Sequence, residues 1–163
     1  MILAIDPGTE QSAFVVYDPE LRMILASCVV PNAELIAMSP PYTPKVVEWV
    51  ESFALRVGSE LFETVYWIGR FDQAFGPLAR VTRKQVKLHL LGTCRGGDSD
   101  IRAALIERFG PGKAKAVGSK KQPGPLFGLK SHELSALAVA ITYAETRAMI
   151  VSELSCNQSK TVK

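Results

Sequence analysis

The chain has 163 residues, of which 47% are hydrophobic and 21% are charged, and its formal net charge is +3. This length and apolar content predict one folded domain and exclude an intrinsically disordered chain. No run approaches the roughly 18 apolar residues of a membrane span, and Asp6 interrupts the apolar start, so we expect neither a membrane protein nor a signal peptide.

Three short apolar runs open the chain and predict three strands. They cover residues 2–5, 12–17 and 23–30, and a proline-containing turn signal follows each of them. Because the connections between them are short, we expect an antiparallel meander.

The next segment predicts a helix, a strand and a second helix. Asn32 could cap a short helix over 33–38. The apolar run 45–50 predicts a fourth strand, parallel to the first because a crossover precedes it. Apolar residues at helical spacing over 59–74 predict the second helix. Three of its aromatic residues could form either a dimer face or core: Phe62, Tyr66 and Phe71.

The second half of the chain predicts further strand and helix. Residues 79–82 favour a strand, and the basic segment that follows to 91 is compatible with a helix. Residues 99–109 are amphipathic and predict a helix capped by Ser99. The stretch 110–128 is rich in Gly, Pro and Lys and predicts a loop, ordered in one interpretation only when a ligand binds.

The last predicted helix covers 132–150, with Ser131 as its cap. We therefore expect one mixed α/β domain over 1–152 with a central sheet flanked by helices, and a flexible tail over 153–163.

The three cysteines are odd in number and far apart, and no CxxC pair is present. They are typical of reduced thiols in a cytoplasmic protein and predict no zinc site. These residues are Cys28, Cys94 and Cys156.

Two acidic residues are candidates for chemistry. Asp6 ends the first buried strand at a glycine-containing turn, where ligands of α/β sheets gather, although Asp-Pro-Gly is also an ordinary turn. Glu48 interrupts an apolar strand, where a carboxylate is costly unless it is paired or binds metal. The alternative is an edge strand whose Glu48 faces water.

The start of the last helix adds His132, Glu133 and Ser135. His132 and Ser135 share a helix face, whereas Glu133 points elsewhere and could simply complement the helix dipole. Two carboxylates and a polar helix start could hold one or two Mg²⁺ ions, with Mn²⁺ as a substitute. Such ions activate water for phosphodiester cleavage.

Four segments, LAIDPGTEQSAFVVYD, VVEWVESFALRVGSELFETVYWIGRF, DIRAALIERFG and PGPLFGLKSHELSALAVAIT, together resemble the phage-type RuvC Holliday-junction resolvases. That family belongs to the ribonuclease H-like superfamily. The resemblance spans roughly residues 1–148 in the right order. It implies a ribonuclease H-like fold and a dimeric, Mg²⁺-dependent endonuclease that nicks four-way DNA junctions in the cytoplasm, of a host if the source is viral.

The resemblance also implies roles for individual residues. Asp6 and Glu48 match metal carboxylates, and His132 matches the first of two ligands on the last helix. Ser135 stands at the second position, where the family usually has an acid, so Glu133 could turn in to replace it. Asp98 and Asp100 are weaker substitutes, because they are more typical of helix capping.

The charge is divided unevenly along the chain. Residues 1–79 carry 4 Lys/Arg and 10 Asp/Glu, whereas 80–163 carry 15 and 6, giving −6 and +9. Basic clusters of this kind are suited to phosphate contacts, although they could equally form a solvated face.

Phe53 and the basic residues are candidates for contact with DNA. An exposed Phe53 could stack on a base, or it could pack under the next helix. The candidate DNA-binding residues are Arg80, Arg83, Lys84, Lys87 and Arg95 in one cluster, and Lys113, Lys115, Lys120, Lys121 and Lys130 in another.

Three other functions stay open at this point. One is a ribonuclease H-type or RNA-processing nuclease of the same superfamily. Another is an actin-like or sugar-kinase ATPase, which shares the opening motif but needs two lobes that 163 residues cannot supply. A third is a non-catalytic junction-binding protein that lost a ligand at Ser135.

Overall fold

A computed structural model describes residues 1–38, 41–51 and 58–160, with side chains through 149. Its five-stranded sheet has the order β3-β2-β1-β4-β5. The first three strands are antiparallel, β4 runs parallel to β1, and β5 runs parallel to β4, as the sequence predicted for β1 to β4. The strands are β1 (Ile2–Asp6), β2 (Gln11–Asp18), β3 (Met23–Pro31), β4 (Lys45–Trp49) and β5 (Ala79–Thr82).

Helices cover both faces of the sheet. Within β1, Ile2 and Ala4 pack with the last described helix, whereas Leu3 and Ile5 pack with the first two helices, because successive strand residues face opposite sides. The helices are α1 (Asn32–Met38), α2 (Ser59–Phe75), α3 (Arg83–Leu91), α4 (Asp98–Phe109), α5 (Lys113–Ala116) and α6 (Ser131–Lys160). Among the helices of the described residues, none could span a membrane.

Several local predictions were wrong. The α4 helix begins at Asp98 with Gly97 rather than Ser99 as its N-cap, and the Asp100 carboxylate accepts a hydrogen bond of 2.7 Å from the Gly97 N–H. The α6 helix begins at Ser131 itself and runs to Lys160 rather than ending at 150. Flexibility of the segment from 153 stays a prediction, and 161–163 lie outside the described residues.

The predicted loop 110–128 contains regular structure. It holds α5 and an antiparallel bridge between Gly118 and Pro123. The chain passes so close to α5 that a Cβ on Gly124 would lie 2.3 Å from the Lys115 carbonyl oxygen. Backbone hydrogen bonds then tie Leu126 to Ala116 at 2.8 Å. The segment therefore contains regular structure and backbone hydrogen bonds that the composition did not indicate.

Asn32 has a different role from the predicted cap. Its carboxamide is buried, accepts a hydrogen bond from Ser12 Oγ at 2.6 Å and donates to the Gly8 carbonyl at 3.0 Å. The Gly8 N–H in turn donates to Ser12 Oγ at 3.3 Å. The turn that follows Asp6 is thus fixed by a side chain from α1.

We expect Asn32→Ala to lower the free energy of unfolding by about 2 kcal/mol, because it leaves buried partners at Ser12 and Gly8 unsatisfied. Urea denaturation measures the change. Gln73→Ala, which removes an exposed carboxamide from α2, is the matched control and should change stability by less than about 0.5 kcal/mol. Equal stability of the Asn32 variant and the wild type would contradict the role of this network.

Candidate active site

Two carboxylates lie at the carboxyl ends of neighbouring parallel strands. The β1–β4 register pairs Ile5 with Val47, so Asp6 and Glu48 are the next residues along their strands. Two positions earlier in each strand, Ala4 and Val46 pack on the α6 side of the sheet. Since side chains two positions apart face the same way, Asp6 and Glu48 face this side as well. Their side chains are only 16% and 13% exposed. The edge-strand alternative for Glu48 is excluded, since β5 pairs with β4 on its outer side.

Burial changes the proton affinity of both acids. Loss of hydration raises the pKa of Asp6, an effect that its hydrogen bond to His132 and the Arg83 charge oppose. Burial raises the pKa of Glu48 to about 7; the Arg83 guanidinium lowers it, and the negative charges of Asp6 and Asp98 add to the rise. Carboxylates that are buried and mutually repelling favour a bound cation.

Arg83 contacts both Glu48 and Asp98, although the sequence suggested it as a phosphate contact. It is the first residue of α3, directly after Thr82, whose side chain forms a capping box with Gln85. Its Nη1 lies 3.6 Å from Glu48 Oε1, and its Nη2 donates to Asp98 Oδ1. The guanidinium is therefore already engaged within the acidic centre.

The start of α6 brings His132 and Ser135 to the same place. His132 Nδ1 lies 3.1 Å from Asp6 Oδ2, and the imidazole is 75% exposed. One turn further, Ser135 Oγ accepts a hydrogen bond of 3.5 Å from Arg83 Nη1. The helix face that the sequence predicted is thus turned toward the strand ends.

Glu133, the suggested replacement ligand, points elsewhere. It is 7% exposed, and each of its oxygens has a partner. Ser27 Oγ donates to Oε1 at 2.8 Å, and the Lys130 N–H donates to Oε2 at 3.0 Å. The structure therefore does not bring Glu133 to Asp6; it ties the start of α6 to β3 instead.

The side chains of this centre can be compared with the ligands that a divalent ion requires. Across the described residues, no three His, Cys, Asp or Glu side chains converge as a preassembled metal cluster. Two buried carboxylates still provide the oxygen ligands that Mg²⁺ or Mn²⁺ prefers, with water to complete the shell, while the adjacent imidazole is a ligand type that suits these ions less well. A cavity of about 170 Å³ beside Asp6, Gly8 and His132 gives solvent access to Asp6. The residues fit one such ion.

The other basic candidates are mostly on the surface. Arg80 is exposed as well, and its guanidinium lies 4.1 Å from the centre of the Trp49 ring. Phe53 lies outside the described residues. The exposed members are Lys84, Arg95, Lys113, Lys115, Lys120, Lys121 and Lys130, while Lys87 is half-buried.

Sequence reasoning missed the central position of Arg83 and undervalued Asp98. Asp98 begins α4 and is 74% exposed, yet it shares the Arg83 guanidinium with Glu48. The available signal was the arginine directly after the last strand, since the carboxyl ends of parallel strands meet at one edge of the sheet.

Comparisons with known proteins identify the fold. No protein-family model matches the chain, and no curated protein matches it. Among solved structures it is similar to Thermus thermophilus RuvC, with a TM-score of 0.62 and 20% identity over 91% of this chain and 95% of that chain. It is similar also to T. thermophilus RuvC in complex with Holliday junction substrate, at 0.61 and 20% over 91% and 94%. The predicted ribonuclease H-like fold class is confirmed.

Proposed function

We propose that this protein is a Mg²⁺-dependent endonuclease that nicks four-way DNA junctions. The observation that carries the proposal is the pair of buried carboxylates, Asp6 and Glu48, ending adjacent parallel strands opposite His132. A fold shared with a RuvC that has been solved on a Holliday junction substrate supports the choice of DNA. The buried charges support a bound divalent ion, because an acidic pair of this kind needs a counter-charge.

The residues of the centre divide the work. Asp6 and Glu48 would hold the divalent ion, which supplies an activated water and charge stabilisation at the scissile phosphate. His132 orients Asp6 through its 3.1 Å contact and, being exposed, can pass a proton to solvent. The family resemblance implies products with a 3′-hydroxyl and a 5′-phosphate.

A nicking assay on a synthetic four-way junction, with Mg²⁺ or with EDTA, tests this function. Linear duplex, RNA–DNA hybrid and structured RNA serve as competing substrates. We expect paired nicks in the junction only when Mg²⁺ is present. Preferred cutting of the hybrid or the RNA would instead assign a ribonuclease H-type or RNA-processing activity.

A second candidate is a non-catalytic junction-binding protein. Ser135 favours it, because a neutral hydroxyl stands where the resemblance places an acid, and the described residues hold no preassembled metal cluster. Tight junction binding without nicking in Mg²⁺ or Mn²⁺ would establish this function and exclude the nuclease.

Junction affinity should fall steeply with salt. Exposed lysines contact phosphates and release counterions, so we expect affinity to drop at least about 100-fold between about 50 and 200 mM salt. Replacing both Lys120 and Lys121 with Gln should reduce the log–log salt slope by about 2. Fluorescence anisotropy measures both effects.

Arg147→Gln, on the exposed part of α6 and outside either basic cluster, is the control for that titration and should leave the slope unchanged. Binding that barely responds to salt in the wild type would refute the phosphate contacts. So would a double Gln variant with the wild-type slope.

A homodimer is the expected assembly, because two symmetric nicks need two centres. The α2 helix offers a face for it: Phe62, Val65 and Tyr66 are 67%, 40% and 54% exposed and lie at helical spacing. Phe71 is fully buried, so that aromatic residue is core and not part of the face.

We expect Phe62→Glu to shift the protein from dimer to monomer by at least about tenfold in dissociation constant, because the added charge would lie unpaired in an apolar interface. Sedimentation velocity measures the change. Gln73→Glu, an added charge elsewhere on α2, should leave the assembly unaltered. A wild-type protein that is monomeric at high concentration would contradict this assembly.

A further inference from the structure

Arg83 is the one cation whose contacts join three separate elements of the centre within the described residues. Its guanidinium lies 3.6 Å from Glu48 on β4, donates to Asp98 at the start of α4, and donates to Ser135 on α6 at 3.5 Å. A guanidinium is planar, permanently charged and able to donate several hydrogen bonds at once. The Arg83 guanidinium can therefore occupy a position where a cation contacts several carboxylates at once.

Ser135 explains why an arginine is tolerated there. Its hydroxyl accepts from Arg83 and brings no charge to the α6 side of the centre. An aspartate at this position would add a fourth carboxylate and would create a second strong site for a metal ion. With serine at position 135, the oxygen atoms near Arg83 are better suited to accept hydrogen bonds from a guanidinium than to bind a divalent ion.

We propose that the Arg83 guanidinium takes the place of a second metal ion, so that the centre binds a single divalent cation per chain. The inference deepens the proposed nuclease function and rests on it. Asp6 and Glu48 hold the ion, while Arg83 remains with Asp98 and Ser135 and presents a fixed positive charge toward the phosphate.

The charges of the centre agree with this stoichiometry. Asp6, Glu48 and Asp98 contribute one carboxylate each, and the Arg83 guanidinium contacts two of them, Glu48 and Asp98. Arg83 supplies one positive charge, and one divalent ion supplies two more, which makes the centre neutral. A second divalent ion would leave an excess positive charge and would have to displace a guanidinium that already has three partners.

The test is Mn²⁺ binding to the full chain without DNA, measured by isothermal titration calorimetry and by electron paramagnetic resonance of free Mn²⁺. We compare the wild type with Arg83→Gln, Arg83→Lys and the double variant Arg83→Gln/Ser135→Asp. Arg147→Gln removes the same charge at an exposed site on α6 and is the matched control. Circular dichroism verifies that each variant is folded.

The proposal expects one Mn²⁺ per wild-type chain and two per chain of the double variant. Arg83→Gln should bind its first Mn²⁺ at least about tenfold more tightly, because a competing positive charge is gone. Arg83→Lys should keep a stoichiometry of one, and Arg147→Gln should match the wild type. On the junction, Arg83→Gln should nick at least about tenfold more slowly at saturating Mn²⁺.

Two Mn²⁺ ions of similar affinity in the wild type would overturn the proposal, as would an Arg83→Gln variant with unchanged Mn²⁺ affinity. If Arg83→Gln fails to fold, the wild-type stoichiometry and the Arg83→Lys variant still decide. Failure of the proposed function gives a different result, since a wild type that binds one Mn²⁺ and nicks no substrate retains the Arg83 assignment and loses the nuclease.

Discussion

Asp6→Asn and Glu48→Gln are each expected to bind a four-way junction with near-wild-type affinity and to nick it at least about a thousandfold more slowly in Mg²⁺. Both changes keep the size of the side chain and remove its negative charge, so the divalent ion loses one of its two anionic ligands. Neither residue belongs to the basic clusters, so phosphate contacts remain. Nicking rates under single-turnover conditions and anisotropy titrations in Ca²⁺ measure the two properties.

The matched control is Glu51→Gln. Glu51 lies three residues after Glu48, just beyond the end of β4, and is exposed. It should nick at the wild-type rate. Full cutting by both Asp6→Asn and Glu48→Gln would refute the assignment of the centre, and loss of binding together with cutting would point to a folding defect instead.

The second large effect concerns stability and pH. The pKa of Glu48 is about 7 in the folded protein, against about 4.5 for an unburied glutamate, so the folded chain holds a proton that the unfolded chain releases. Stability is therefore highest below about pH 4.5 for this group and is lost as pH rises through 7. Glu48→Gln avoids this loss, and at pH 8 without divalent ions it should be more stable than the wild type by up to about 3 kcal/mol.

Urea denaturation at pH 5 and pH 8 in EDTA measures the difference. Asp6, whose pKa is also raised, adds a loss of the same sign in wild type and variant alike. Mg²⁺ at pH 8 should stabilise the wild type and have less effect on Glu48→Gln. The exposed Glu51→Gln should show no pH-dependent gain. Equal stability of Glu48→Gln and the wild type at pH 8 would contradict the burial argument.

The directions of the first four strands and the pair of acids could be predicted from local patterns. Asp6 follows a buried strand at a turn, and Glu48 interrupts an apolar run after a crossover, so both fall at the same edge of a parallel pair. The face of α6 that carries His132 and Ser135 followed from helical spacing alone. In each case the prediction depends only on the residue spacing within a single strand or helix.

Contacts between elements distant in sequence could not be predicted in this way. Arg83 resembled any other basic residue near a strand end, and only the packing of α3, α4 and α6 directs it to Glu48, Asp98 and Ser135. Glu133 appeared available because its partner Ser27 lies on β3, far away in the sequence. Side-chain partners of this kind depend on tertiary structure, which neither propensity nor periodicity contains.

The Ser27–Glu133 hydrogen bond has a consequence for how the centre tolerates change. His132 and Glu133 are consecutive, so the residue that touches Asp6 and the residue that touches β3 move as one unit. The edge strand β3 thus affects the position of the His132 imidazole relative to the Asp6 carboxylate. A substitution in β3 that shifts Ser27 by a fraction of a bond length changes the reach of His132, although no β3 residue is part of the acidic centre. The position of β3, at one edge of the sheet, therefore bears on the contact between His132 and Asp6.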